Sequence, residues 1–266
     1  MKSLPRILLW AWTGLVLLFL ILPILVIMPI AFSAGQFLGY PLPGLSLRWF
    51  HVVLENYPWL FALKNSLIIG TATVVLAVPL GTLAAHGLSQ GDFPGRAAVR
   101  ALLISPMVMP VVIVGLAASF FYARVGLEGS FLALILAHTG LALPFVIIPI
   151  TATLSGYDPN LSRAAASLGA PPWTTFLKVT LPIIMPGVTS GAVFAFITSF
   201  DEVVVALFVS SPSTLTLPRQ LFSSLRDQLD PSLVAVAFIL IVISCALMGS
   251  VELLRSRGER LRKVEI

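Results

Sequence analysis

The sequence predicts an all-α polytopic membrane protein, and three observations carry that prediction. Of the 266 residues, 58% are hydrophobic and only 10% charged, too few polar side chains to clothe a soluble domain. The apolar residues gather into stretches of about 20 or more, the length a helix needs at roughly 1.5 Å per residue to cross the hydrocarbon core. The short alternating segments of an outer-membrane barrel are not seen. The single cysteine, Cys245, excludes an intrachain disulfide framework.

Taken in order, the first expected span is 7–32, longer than the apolar core of a signal peptide and lacking a cleavage site, with Pro23 and Pro29 bending it. The segment 33–64 is aromatic and mixed. Ser46 is positioned to cap a helix over 47–56, and Trp49, Tyr57 and Trp59 read as interfacial belt residues. A second span is expected over 65–88, opened by Asn65 and Ser66 and containing Pro79. A polar turn leads to a third over 101–125, with Pro106 and Pro110, and a tight link to a fourth over 131–154, with Pro144 and Pro149. A fifth is expected over 185–209 and a sixth over 233–254. Outside the spans, Thr216 is positioned to cap an amphipathic helix near 218–229. The segments 47–56 and 218–229 would either meet a soluble partner or rest on the bilayer. No internal repeat or linker interrupts the chain, so 1–266 reads as one transmembrane domain.

Basic residues sort by loop rather than forming one surface stripe, which excludes a nucleic-acid surface. With the N-terminus inside, Lys2, Arg6, Arg96, Arg100, Arg163, Lys178, Arg255, Arg257, Arg260, Arg262 and Lys263 fall on the cytoplasmic side. Only Arg48, Lys64, Arg124, Arg219 and Arg226 fall outside. The positive-inside rule therefore expects both termini in the cytoplasm.

The same count makes 158–182, between the fourth and fifth spans, a cytoplasmic island. Asp158 caps a helix that starts with Pro159, where no needed amide is lost. Leu161, Ala164, Ala165 and Leu168 recur at i, i+3, i+4 and i+7, giving one shallow apolar face. Gly169 suits a left-handed stop, and Pro171 and Pro172 prevent continuation. A second short helix is expected over 173–180, ended by Leu181-Pro182. A helix pair too short to span and carrying a small-residue face is suited to docking on another protein.

This island resembles the signature loop of permease subunits of bacterial ABC importers, Glu-Ala-Ala-x3-Gly-x9-Ile-x-Leu-Pro. The chain offers Arg163-Ala164-Ala165, Gly169, Val179 and Leu181-Pro182 at that spacing. Arg163 replaces the glutamate, so any ion pair made by that glutamate does not carry over, and Val179 conservatively replaces isoleucine. A second stretch, 199–237, with Asp201-Glu202 before a valine run, resembles the second permease of spermidine/putrescine importers. The resemblance implies the type-1 importer permease fold: six transmembrane helices, with a cytoplasmic coupling helix over 161–169. It assigns ATPase coupling to Leu161, Arg163, Ala164, Ala165, Leu168 and Gly169. It also implies a cytoplasmic ABC ATPase dimer, a second homologous permease (or a second copy of this one), a periplasmic binding protein and a bacterial inner membrane.

Asp201 and Glu202 are the only acids well inside an expected span, and each costs on the order of 3 kcal/mol on insertion scales. On a continuous helix Phe194, Thr198 and Asp201 would share one face, with Glu202 about 100° around. For a polycation the acids offer charge pairing and Phe194 or Phe200 a cation–π surface. Pairing with a partner subunit's basic residue, or a break in the helix, accounts for the acids equally simply. His51, His86 and His138 lack metal-ligand spacing, and His138 reads as an interhelical hydrogen-bonding group.

No Gly-x-x-x-x-Gly-Lys-Ser/Thr motif occurs, so ATP and Mg²⁺ are expected on the partner ATPase, with no cofactor in this chain. No serine-nucleophile motif supports an enzyme. The expected function is thus a permease subunit importing polyamines, with opines, 4-aminobutyrate and other amino acids as alternative substrates. An ion-coupled carrier using Asp201, Glu202 and His138 also explains the acids but leaves 158–182 without a purpose.

Overall fold

A computed structural model describes residues 4–55, 57–227, 229–243 and 245. The described residues form helices joined by turns, with isolated bridges at Ser33–Leu45 and Gly129–Ser210 in place of strands. Two compact units are distinguished, one of 1–60 with 223–266, the other of 61–222.

In the first unit, α1 (Leu4–Ile27) is apolar and exposed along most of its length. It passes into a tight turn at Met28–Phe32, where Pro29 occupies the first turn. The following loop closes through Ala34 N–H to Gly44 O (2.9 Å) and Ser46 N–H to Phe32 O (2.8 Å). Ser46 Oγ accepts from Arg48 N–H at 3.1 Å and starts α2 (Arg48–Glu55), as its sequence position predicts. Phe32, Phe50 and Phe238 meet ring to ring at 5.1, 5.1 and 5.7 Å. Trp49 is buried, donating Nε1–H to Gly35 O at 3.1 Å, and Trp59 is buried too. Neither is the lipid-facing belt residue that its composition suggests. The loop carbonyl gives the Trp49 indole a partner inside the protein, so it does not need the headgroup region.

The second unit is built on α6 (Phe131–Leu154), which buries a near-continuous run including His138, Val146, Ile147 and Ile150. Packed with it are the main part of α3 (Tyr57–Gln90), α4 (Arg96–Val108), α9 (Leu181–Phe200) and α10 (Val204–Val209). The contact of α6 with α9 is the most extensive, because Gly187 and Gly191 present no side chain there. A Cβ at Gly187 would lie 2.4 Å from Thr153 Oγ1 and 2.9 Å from Pro149 O. Helices in lipid gain little from burying apolar surface, so close approach through small residues supplies much of their attraction.

Leu8–Phe32, Pro58–Gln90, Phe131–Leu154 and Pro172–Phe200 are long and apolar enough to cross a membrane. The expected spans are otherwise revised. The second begins earlier, since α3 is helical from Tyr57. The third is not continuous: α4 and α5 (Val111–Arg124) meet at a 103° bend. Pro110 forces Met109 into extended backbone (φ −74°, ψ 141°), and the helix restarts beyond it. The fifth breaks after Phe200 and resumes as α10. Of the sixth, Ser232–Ile243 is an apolar helix, α12, and the remainder lies outside the described residues, as do Lys2 and the basic residues of 255–263.

The helix expected to stop at Leu181-Pro182 does not stop. After α7 (Pro159–Ser167), α8 (Pro172–Thr175) opens into a widened turn at Phe176–Thr180 that feeds directly into α9. A proline ring collides with the carbonyl four residues back in a regular helix, and widening the preceding turn relieves that contact. Thr216 does not cap α11 (Leu217–Asp227) through its hydroxyl; Ser66 Oγ accepts the Leu217 N–H instead, at 2.8 Å.

Replacing Gly187 by alanine should destabilise the protein by about 1–3 kcal/mol through overpacking. Gly140, whose Cβ would meet nothing within 4 Å, is the control. Thermal unfolding of both variants in detergent measures the difference, with a clear drop expected for Gly187→Ala alone.

Candidate functional site

The segment 158–182 folds as its composition dictates. Asp158 Oδ1 accepts the Asn160 N–H at 2.9 Å, and Pro159 takes the first helical position of α7. At the other end Gly169 adopts φ +81°, with Gly169 N–H bonding to Ala166 O (2.9 Å) and Ala170 N–H to Ala165 O (3.0 Å). That pair of bonds is the Schellman closure, available because glycine carries no Cβ into the left-handed region.

Between its caps, α7 buries no side chain. Leu161 is 44% and Leu168 89% exposed, Ala164 is exposed and Ala165 half-buried. Arg163 is exposed, its Nη1 donating to Asn160 Oδ1 at 3.2 Å. The six residues singled out on this segment therefore stand on one short helix and its stop, with the apolar face uncovered. Beside it Trp173, also exposed, stacks on Phe176 (5.6 Å), whose other neighbour is the His86 ring of α3 (4.9 Å).

The second candidate group sits at the far end of α9, about 30 Å away for a helix of 20 residues. Here the helix does not run on through the acids, and of the alternatives the sequence leaves open the break is the one observed. Asp201 is the cap residue that ends α9, and Glu202 lies in the break before α10. Glu202 Oε1 accepts the Val205 N–H at 2.8 Å, so the carboxylate satisfies one of the unpaired amides that open α10. Asp201 is exposed and Glu202 half-buried. Phe194 is exposed, Thr198 half-buried, and Phe200 half-buried with its ring stacked on Phe196 at 5.5 Å. Phe194, Thr198 and Asp201 do lie toward the accessible side of α9, since Gly191, Ala195 and Ser199 take the buried side.

That buried side holds a polar cluster. His138 Nδ1 of α6 and Ser199 Oγ of α9 share a hydrogen bond of 2.8 Å, and Ser199 Oγ donates to Thr73 Oγ1 of α3 at 3.3 Å. The interhelical role expected of His138 is realised, although its partners were not legible in the sequence. Asn65 and Ser66 were expected only to open a span. Asn65 Nδ2 in fact donates to Ser213 O (3.3 Å) and Leu215 O (3.0 Å), and with Ser66 it pins the chain that leads into α11.

Long apolar helices with a capped, uncovered helix set between two of them describe a multi-pass membrane protein. Residues 77–259 match the family described as binding-protein-dependent transport system inner membrane component. The chain is 30% identical over 236 residues to the spermidine/putrescine transport system permease protein PotC of Escherichia coli (strain K12), covering 89% of each. It is 32% identical over 257 residues to the putrescine transport system permease protein PotI of the same strain, covering 93% of this chain and 91% of that one. The molybdenum transport system permease protein ModB of Mycobacterium bovis is 31% identical over 237 residues, covering 82% and 89%. Among solved structures, a bacterial ABC transporter involved in the import of the acidic polysaccharide alginate shares the fold. Its TM-score is 0.75 at 17% identity, covering 94% of this chain and 96% of that one. The chain belongs to the family of inner-membrane permease components of binding-protein-dependent ABC importers.

Removing the cap with Asp158→Ala should cost about 1 kcal/mol of local stability. Hydrogen exchange of the amides of 160–163 should accelerate roughly fivefold, the factor that this energy corresponds to. Amides in the middle of α6 should exchange unchanged.

Proposed function

We propose that this permease imports polyamines and is driven by a separate cytoplasmic ATPase pair docked on 158–182. The uncovered face of α7 carries the docking reading: a capped helix that buries no side chain among the described residues presents a surface free for a partner. The family's Glu-Ala-Ala pattern at Arg163-Ala164-Ala165 and Gly169 supports the same assignment. Leu161, Ala164, Ala165 and Leu168 would seat in the ATPase, Gly169 would fix the turn, and Arg163 would meet an acidic or neutral surface. ATP and Mg²⁺ belong on the ATPase, because this chain has no phosphate-binding loop of its own.

The substrate reading rests on the two polyamine permeases, PotC and PotI, each aligned over about nine-tenths of this chain. Asp201 and Glu202, with Phe194, Thr198 and Phe200 nearby, supply the carboxylate and aromatic chemistry that a linear polycation needs. ModB, named for molybdenum transport, favours a second reading in which the solute is an oxyanion. Two carboxylates at the broken end of α9 oppose that reading, since they repel an anion.

In the assembled importer, 1–266 would act as one transmembrane domain beside a second, homologous permease, with a periplasmic binding protein delivering the solute. The distribution of basic residues supports both termini in the cytoplasm under the positive-inside rule. Rigid-body closure of the ATPases would move α7 and, through it, α9.

Purification of the tagged permease from its native membrane should bring down an ATPase carrying a phosphate-binding loop. Gly169→Val, forced to hold φ +81° with a branched side chain, should lose most of that association. A permease purified without any such ATPase would exclude the docking reading.

Asp201→Asn should lower putrescine and spermidine uptake about tenfold, the scale of one desolvated charge pair, with ATPase association unchanged. Uptake is measured in reconstituted vesicles containing the binding protein. Unaltered kinetics would remove Asp201 from the solute path, and molybdate uptake in place of polyamine uptake would favour the oxyanion reading.

A further inference from the structure

Tyr157 lies just ahead of the α7 cap and outside the signature pattern, yet it touches all three segments that meet there. Its ring is buried, 9% exposed, in the core cluster that includes Leu154 of α6, Ile184 of α9 and Ala85 of α3. Its hydroxyl lies 2.6 Å from Ser162 Oγ on α7 and accepts from Thr180 Oγ1, 3.3 Å away in the widened turn that opens α9. A phenol both accepts and donates, so Tyr157 can take the Thr180 proton and give its own to Ser162. Among the described residues, every other side-chain hydrogen bond of α7 stays within 158–167. With no side chain of α7 buried, the Tyr157 hydroxyl is thus the one side-chain hydrogen bond tying α7 to the packed helices.

We infer that Tyr157 is a positioning residue for energy coupling: its hydroxyl locks α7 to the start of α9, so that a displacement of α7 moves α9 instead of being absorbed by the loop. The inference rests on the proposal that α7 is where the ATPase acts. The continuous connection from α7 to α9 passes through the left-handed turn at Gly169, Pro171 and the widened turn at Phe176–Thr180, three irregular places where backbone torsions can take up motion. The hydroxyl chain bypasses all three, joining Ser162 to Thr180 through one aromatic ring held in the core. Motion delivered to Ser162 therefore reaches the base of α9 by a shorter route than the backbone.

The experiment uses the complete importer complex in vesicles, with Cys245→Ser and Phe194→Cys as a reporter toward the other end of α9. The alkylation rate of that cysteine by a membrane-impermeant maleimide is measured with and without ATP trapped by vanadate. The rate should change on trapping when Tyr157 is present. Tyr157→Phe keeps the ring and removes both bonds, and should shrink the ATP-dependent change threefold or more while ATPase co-purification stays at its full level. Ser162→Ala, at a partly exposed site, should do the same and carries the test if Tyr157→Phe folds poorly. An unchanged ATP response in both variants overturns the relay alone. Loss of ATPase association in Ser162→Ala also overturns it, since the bond would then serve docking. Absence of any ATP response with Tyr157 intact overturns the relay and the ATPase-docking reading together.

Discussion

The close approach of α9 to α6 is the constraint on which the second unit depends. At Gly187 and Gly191 the backbone of α9 comes within van der Waals contact of Val146, Pro149 and Ile150, leaving no room for a side chain. In an aqueous core such a contact would be one contributor among many. In lipid, where the surrounding tails are as apolar as leucine, backbone proximity and the dispersion contacts it allows bear much more of the load. The same device recurs where Gly81 of α3 faces Val146 and where Gly115 of α5 faces Phe208 of α10. Two helices, α3 and α9, thus converge on one short stretch of α6. That convergence fixes which side of α9 is buried, and so which residues near its acidic end remain accessible.

Polar groups then specify what packing alone leaves loose. A helix pair closed by small residues resists approach but tolerates sliding, because the facing surfaces are smooth. The His138–Ser199–Thr73 cluster removes that freedom, since a shift of one residue along α9 would strand three polar groups in an apolar setting. Asn65 does the same for the chain after α10, its amide reaching two carbonyls at once. Ser211 and Thr214 both donate to Gly129 O, joining the α5–α6 link to that loop. Asn65, Ser211 and Thr214 reach carbonyls of irregular backbone that would otherwise be unpaired, which is where a protein in a membrane can least tolerate them.

Much of this was legible from composition and spacing, for physical reasons. Span length is set by the bilayer, so hydropathy finds α1, α3, α6 and α9 directly. Caps are local chemistry, so Asp158, Ser46 and Gly169 could be read from one or two neighbours. The misses came where a rule about the backbone competes with one about side chains. Leu181-Pro182 reads as a stop, but a proline near the start of a helix is tolerated once the preceding turn widens. Pro110, four residues after Pro106, lies within the expected third span and divides it at 103°. Sequence alone leaves a continuous helix and a break at the acids both open; the structure takes the break, ending α9 at Asp201 and using Glu202 to start α10. The roles of Tyr157 and Ser66 are not legible locally, because they depend on Thr180 and Leu217, far along the chain.

An isolated helix of nine residues is marginal in water, since nucleation fixes several residues before the first bond forms. In globular proteins a buried apolar face makes up the difference, and α7 has none. Its order must come from its ends: the Asp158 cap, the Pro159 start, the Schellman closure at Gly169 and the tether at Ser162. Residues held this way have already lost the conformational entropy that a partner would otherwise have to remove on binding. A loop whose only task was to connect α6 to α9 would gain nothing from that expense, and polar flexible chain would serve it better. Under the docking proposal the expense has a purpose, because force passes through a preformed helix without first being spent on ordering it. The exposure of Leu161 and Leu168 follows from the same requirement: a face buried against its own chain would be stable but unavailable.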